Sequence, residues 1–368
     1  MNFDTLKEII DNGCREKDIP CADIIVSYKN EIVYRYMTGT RDDEKKLPLK
    51  GDEMYFLYSA SKPMTCTAAL QLYEKGLIAL DDYVYKYIPE FKDMKVKTPD
   101  GLVDAKGHIT IKNLFTMSSG LDYNLESDSI KAVLSKNPDA PTLDIVRAIA
   151  NEPLQFHPGE HYLYSLSHDV LAAVVEVVSG MKFEDYVKKN IYDVCGMNHT
   201  TMTVTDDVLD RICSQYVYDA QTNTSSLMPK KNQYILSSNY HSGGAGMISC
   251  VDDYIKFAQA MANGETLLKK ETIALMSQNQ LTPEQFKDFS PHKPGYTYGL
   301  GVRTNVSSDF SEKGEFGWDG AAGSYTIIDP KNNIAVFYGT HVRNHGDFLY
   351  FKHHMDIRDE IYNVLLNR

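Results

Sequence analysis

Apolar positions outline the chain before any motif is considered. Phe3, Leu6 and Ile10 recur at helical spacing and Gly13 follows, which predicts a helix over 3–12 that stops at the glycine. Ile24–Tyr28 and Ile32–Tyr36 are β-rich runs around Lys29-Asn30-Glu31, so they read as a hairpin. A second hairpin is predicted near the other end, from Tyr325–Ile328 through a turn at Pro330–Asn333 to Ile334–Tyr338. Phe348, Phe351, Met355, Ile361 and Leu365 then return to helical intervals. Between these ends, from about residue 76 to 240, the signals are helical segments and long polar loops. Leu171–Val178 is apolar almost all round, which suits a helix buried on every side and ended by Gly180.

Hairpins imply antiparallel pairing rather than βαβ crossovers. The expected class is therefore α+β, an antiparallel sheet flanked by helices with a mainly helical domain inserted. Residues 1–75 and 243–368 would form a discontinuous α/β domain and residues 76–242 the helical one, with the site in the cleft between them.

Composition narrows the functions available. The chain has 368 residues, 43% of them hydrophobic, which is ample for a packed core. A net charge of −12 with no basic run speaks against nucleic acid as a partner. No apolar leader or membrane-length stretch is visible, so a cytoplasmic protein with no membrane partner is expected. Cysteines 14, 21, 66, 195, 213 and 250 show no Cys-x-x-Cys spacing and read as free thiols, with no metal site and no cofactor implied. No motif speaks to oligomeric state.

The candidate chemistry lies in Met54–Gly76. Tyr55–Tyr58 lead into Ser59-Ala60-Ser61-Lys62-Pro63, and Met64, Ala68 and Leu72 follow at helical spacing. Pro63 is tolerated only in a first turn, so the helix begins near Ser59, with Ser59 and Lys62 on one face. A serine hydroxyl needs a partner that takes its proton. Ser-x-x-Lys recurs at Ser179–Lys182, across a helix stop, and at Ser290–Lys293, in a polar Pro-rich loop; only the Ser59 copy opens an apolar helix. Taken alone, the pattern also suits an ordinary N-cap serine.

Together with Leu77–Asp82, Ile109–Leu114, Ser118-Ser119-Gly120-Leu121, Pro158-Gly159, Tyr164-Ser165 and Ser242–Met247, the Ser59 segment resembles the serine β-lactamase superfamily. The nearest groups are class C β-lactamases, D-Ala-D-Ala carboxypeptidases and family VIII carboxylesterases. The resemblance implies the β-lactamase/transpeptidase-like fold, Ser59 as nucleophile and Lys62 as its activator. It further implies that Tyr164 passes the proton to the leaving group, and that the N–H groups of Ser59 and Ala321 bind the oxyanion. Leu166 stands where relatives carry asparagine, and Gly317-Trp318-Asp319-Gly320-Ala321 stands where they carry a Lys or His followed by any residue and glycine. Leu166, Trp318, Asp319 and Gly320 are thus expected substrate-binding positions, as is Arg343 if it reaches the cleft. Both departures remove polar groups that would handle an amide and a carboxylate. A carboxylesterase on small uncharged esters is therefore expected ahead of a β-lactamase or D-amino-acid peptidase. The rival outside enzymes is a non-catalytic penicillin-binding-like protein, which would need none of Ser59, Lys62 and Tyr164. Two further signals are set aside: His157-Pro158-Gly159-Glu160-His161 has a Pro-Gly turn where a zinc motif needs a helix, and Ser242–Gly246 reads as a tight loop near the cleft, followed by a helix capped by Ser249.

Overall fold

The two predicted hairpins meet in one sheet. In the computed structural model, which describes residues 1–306 and 311–368, seven strands run in the order Glu31–Gly39, Cys21–Tyr28, Ile334–Gly339, Tyr325–Asp329, Phe316–Gly317, Arg303–Asn305, Tyr296–Tyr298. Every neighbouring pair is antiparallel, and the ends of the chain join where Ile24 faces Tyr338 and Val26 faces Val336. Cys21–Tyr28 is buried along nearly its whole length because both sheet faces are covered, which is why its apolar run does not alternate. One face packs on Phe3, Leu6 and Ile10 of the N-terminal helix and Ile357, Ile361 and Tyr362 of the C-terminal helix. The helix Val251–Asn263 packs against Ile334–Gly339 and Cys21–Tyr28. The class is α+β, an antiparallel sheet flanked by helices.

Several sequence expectations change. The first helix runs Asp4–Glu16, straight through Gly13. Gly13 serves contact rather than termination: a Cβ there would run into the ring of His353. Ser249 does not cap the following helix; Cys250 stands at its N-cap with no side-chain bond, and the Ser249 hydroxyl lies 2.8 Å from that of Thr200. Two hairpins also interrupt the middle segment, at Lys95–Thr98 with Gly101–Asp104 and at Gln215–Asp219 with Thr224–Met228. The second pairs in parallel with Val342–Arg343, so part of the middle segment is bound to the far end of the chain.

The helices Lys62–Glu74 and Ser167–Ser179 pack together inside the largest hydrophobic core, each buried over most of its length. Gly180 ends the second in the left-handed conformation at φ 69°. We retain the division at 75/76 and 242/243 as a proposal. It rests on the sheet strands lying within residues 21–39 and 296–339, on either side of this helical region. The six cysteines are free thiols, with the sulfurs of Cys21 and Cys213 3.5 Å apart. Among the described residues no helix is long and apolar enough to cross a membrane.

Candidate active site

Ser59 is presented by a sharp turn. The buried strand Met54–Phe56 pairs with Ile248–Cys250, and the chain then turns through Tyr58, a non-glycine residue at φ 49°. That conformation costs about 1 kcal/mol or more and persists only where the surroundings hold it. Tyr58 is held by its hydroxyl, which donates to Gln215 Oε1, and by edge-on packing against the ring of Tyr234. A 3-10 turn over Tyr58–Ser61 feeds the helix Lys62–Glu74, and neither has a side-chain cap. The Ser59 hydroxyl is therefore free of the N-cap duty that its position would otherwise suggest. Ser61 faces the core, where its hydroxyl accepts the Met247 N–H at 3.1 Å.

Two proton-carrying groups converge on Ser59. Lys62 Nζ, fully buried, donates to Ser59 Oγ at 3.2 Å and to the Gly244 carbonyl at 2.7 Å. The Tyr164 hydroxyl donates to Ser59 Oγ at 2.6 Å, and Lys62 Nζ stands 4.6 Å from the centre of the Tyr164 ring. Trp318 Nε1–H donates in turn to Tyr164 Oη at 3.2 Å. The rings of Tyr123, Tyr164 and Trp318 form a ladder, spaced 5.6 and 5.8 Å and within 16° of parallel at each step. His168, against Cys66 on the same helix as Lys62, is buried, and burial together with the Lys62 charge pushes its pKa down to about 3, so it stays neutral.

Ser59, Tyr164, Trp318, Asp319 and Ala321 line one cavity of about 800 Å³. The Leu57 carbonyl, two residues before Ser59, accepts the Ser324 hydroxyl at 3.3 Å, tying the nucleophile turn to the segment that carries Ala321. Three substrate-binding expectations need correction. Leu166 does not line the cavity; it is 2% exposed and lies in the main core, because its position just ahead of a buried helix turns it inward. Gly320 also stays behind the wall: its N–H donates to the Ser324 carbonyl at 2.8 Å and its own carbonyl accepts the Tyr350 hydroxyl at 2.8 Å. The Arg343 guanidinium lies against the rings of Tyr58 and Tyr234, at 5.6 and 5.8 Å, and is not among the lining residues. Asp319 lines the cavity but is committed to cations: Lys293 binds it directly, and Arg303 Nη1 lies 3.8 Å away. Burial works to raise the Asp319 pKa, but these two charges outweigh it and hold the carboxyl at about 2.

The family follows from the whole chain. A family model described as Beta-lactamase matches residues 6–350. The chain belongs to that family.

This Beta-lactamase-family chain is 26% identical over 370 residues to Esterase EstB of Burkholderia gladioli, covering 93% of the chain and 91% of that protein. It is 28% identical to a lovastatin esterase of Penicillium rubens, covering 90% of each. Among solved structures it is similar to EstCE1, described as a hydrolase with promiscuous acyltransferase activity, at TM-score 0.82 and 23% identity over 98% of each chain. The family is one of serine hydrolases that includes esterases and acyltransferases.

Sequence reasoning missed two residues of this family member's site. Lys293 belongs to the Ser-x-x-Lys copy set aside as a polar loop, yet it lines the cavity with its ammonium 4.5 Å from the Tyr350 ring centre and 6.0 Å from that of Trp318. Its contacts with Trp318, Asp319 and Tyr350 span 25 or more positions of the chain, so no local pattern marks it. Asp169 is fully buried, and its Oδ1 accepts the hydroxyls of Tyr240 at 2.8 Å and Ser242 at 2.6 Å, shaping the loop whose Gly244 carbonyl receives Lys62. An acid in the first turn, just ahead of the apolar run Val170–Val175, was the available signal.

Proposed function

We propose that this protein is a serine hydrolase that cleaves carboxylic esters through an acyl-enzyme on Ser59. The observation that carries the reading is the placement of Ser59 Oγ, on a cavity wall, 2.6 Å from Tyr164 Oη and 3.2 Å from Lys62 Nζ. In the proposed reaction, Ser59 Oγ attacks the ester carbonyl while its proton passes to the Tyr164–Lys62 pair, which reacts one proton short, as a Tyr164 phenolate beside the Lys62 ammonium. The backbone N–H groups of Ser59 and Ala321 stabilise the tetrahedral oxyanion, a contribution of about 3–4 kcal/mol per donor where it has been measured elsewhere. The same pair delivers the proton to the departing alkoxide. Water then attacks the acyl-enzyme and gives a proton to the pair, which hands it to the departing Ser59 Oγ as the acid is released.

Esters are favoured over β-lactams and D-amino-acid peptides because position 318 is an indole and the nearby cation, Lys293, is already paired with Asp319. An unpaired carboxylate buried there would cost several kcal/mol. A fluorophosphonate should label Ser59, as read by peptide mass spectrometry. Ser59→Ala should lose both labelling and p-nitrophenyl butyrate hydrolysis, whereas Ser61→Ala should keep the label. An adduct on Ser61 or Ser119 overturns the assignment. In the same assay, p-nitrophenyl butyrate should exceed nitrocefin in kcat/KM by at least ~100-fold, a barrier difference of about 2.7 kcal/mol.

A further inference from the structure

The cavity around Ser59 holds far more than a short ester occupies. Its volume of about 800 Å³ lies in the upper part of the range of roughly 300–1,000 Å³ typical of ligand pockets, whereas acetyl and butyryl esters are only a few heavy atoms. The walls are ring-built. On one side stands the ladder Tyr123–Tyr164–Trp318, held in place by the Trp318–Tyr164 and Tyr164–Ser59 hydrogen bonds. Tyr234 stands edge-on to Tyr123, at 5.7 Å and 78°, and makes a corner with it. Tyr350 is fixed by its bond to the Gly320 carbonyl, and Phe351, 42% exposed, completes the rim. Tyr123, Tyr164, Tyr234 and Tyr350 are each only partly buried, so the cavity keeps aromatic surface open to water.

We propose that the site selects esters bearing a bulky apolar ring on the acyl or the alcohol part, rather than the small esters its motifs suggest. This rests on the serine-hydrolase reading above and adds the substrate class. Rings already fixed in offset and edge-on arrangements offer matching contacts to another ring. A rigid ring also loses little conformational freedom on binding, whereas a flexible chain of similar apolar area must be ordered. Covering the exposed aromatic surface supplies the driving force.

The experiment compares ethyl acetate, ethyl hexanoate, ethyl 3-phenylpropanoate and 2-phenylethyl acetate by pH-stat, each rate divided by that of hydroxide-catalysed hydrolysis. Fluorophosphonate labelling of Ser59 runs in parallel. At least one ring-bearing ester should exceed both ethyl acetate and ethyl hexanoate in kcat/KM by ~10-fold or more, and which one does so places the ring on the acyl or alcohol side. Tyr234→Ala should shrink that ratio by ~5-fold or more. The proposal is overturned if ethyl acetate or ethyl hexanoate is the best of the four, or if Ser59 is labelled while none of the four is cleaved. Absence of labelling together with absence of cleavage removes the hydrolase reading itself, and the substrate class with it.

Discussion

Tyr164 stands where three influences meet: the Ser59 hydroxyl, the Lys62 ammonium against its ring face, and the Trp318 N–H on its oxygen. Under the proposed mechanism, Lys62→Ala and Tyr164→Phe should each lower kcat by about two to four orders of magnitude, as for loss of a general base. The double variant should be little worse than either single one, because groups acting as a unit are not additive. Independent, multiplicative losses in steady-state kinetics would separate the two roles. Trp318→Phe keeps the ring but removes the donor. A hydrogen bond to a charge-bearing group contributes about 1.5–3 kcal/mol, so kcat should fall about 10- to 100-fold. An unchanged kcat would leave Trp318 as a wall and nothing more.

At the scale of elements, the strand-entry segment Gly317–Ala321 is held from behind. A Cβ on Gly320 would overlap the Leu57 carbonyl oxygen and Ser324 Oγ. One of those atoms belongs to the turn that carries Ser59, so Gly320→Ala should push apart the two segments that supply the proposed oxyanion donors. Loss of one donor costs about 10²–10³ in kcat. KM should move little in the same variant, and a rise in KM at constant kcat would contradict this account. Asp319 sets the charge on the same segment. Asp319→Asn releases Lys293 from its partner, so the kcat/KM ratio of p-nitrophenyl butyrate to nitrocefin should narrow from ~100-fold towards ~10-fold, as one freed cation favours the anionic substrate. The variant should also be less stable, because breaking a buried ion pair costs about 3–5 kcal/mol. An unchanged ratio would show that the Lys293 ammonium does not reach the bound carboxylate.

Across the whole molecule, buried histidines tie stability to pH. Burial is the main cause that lowers the pKa of His168 to about 3 and of His341 and His353 to about 4. The unfolded chain takes up these protons near pH 6.5 and the folded chain does not, so stability is complete above pH 6.5 and falls as the pH drops towards 4. At pH 5 each histidine withdraws about 2 kcal/mol, and calorimetry should show Tm dropping steeply between pH 7 and pH 5. A level Tm over that interval would mean the histidines protonate without unfolding. Asp319 acts lower: with a folded pKa of about 2, its contribution is present above about pH 4 and lost between about 4 and 2. By itself the sequence determined the two terminal hairpins, the buried helix ended by Gly180, and the Ser59–Lys62 face, because these depend on local periodicity and on residues three or four apart. The segment motifs were also enough to place the family. Only the tertiary structure decided that Leu166 turns into the core and that Gly13 makes room for His353. It also brought Lys293, from a polar loop, against Asp319 on the cavity wall. Those outcomes depend on which distant segments pack together, and neither side-chain spacing nor composition carries that information.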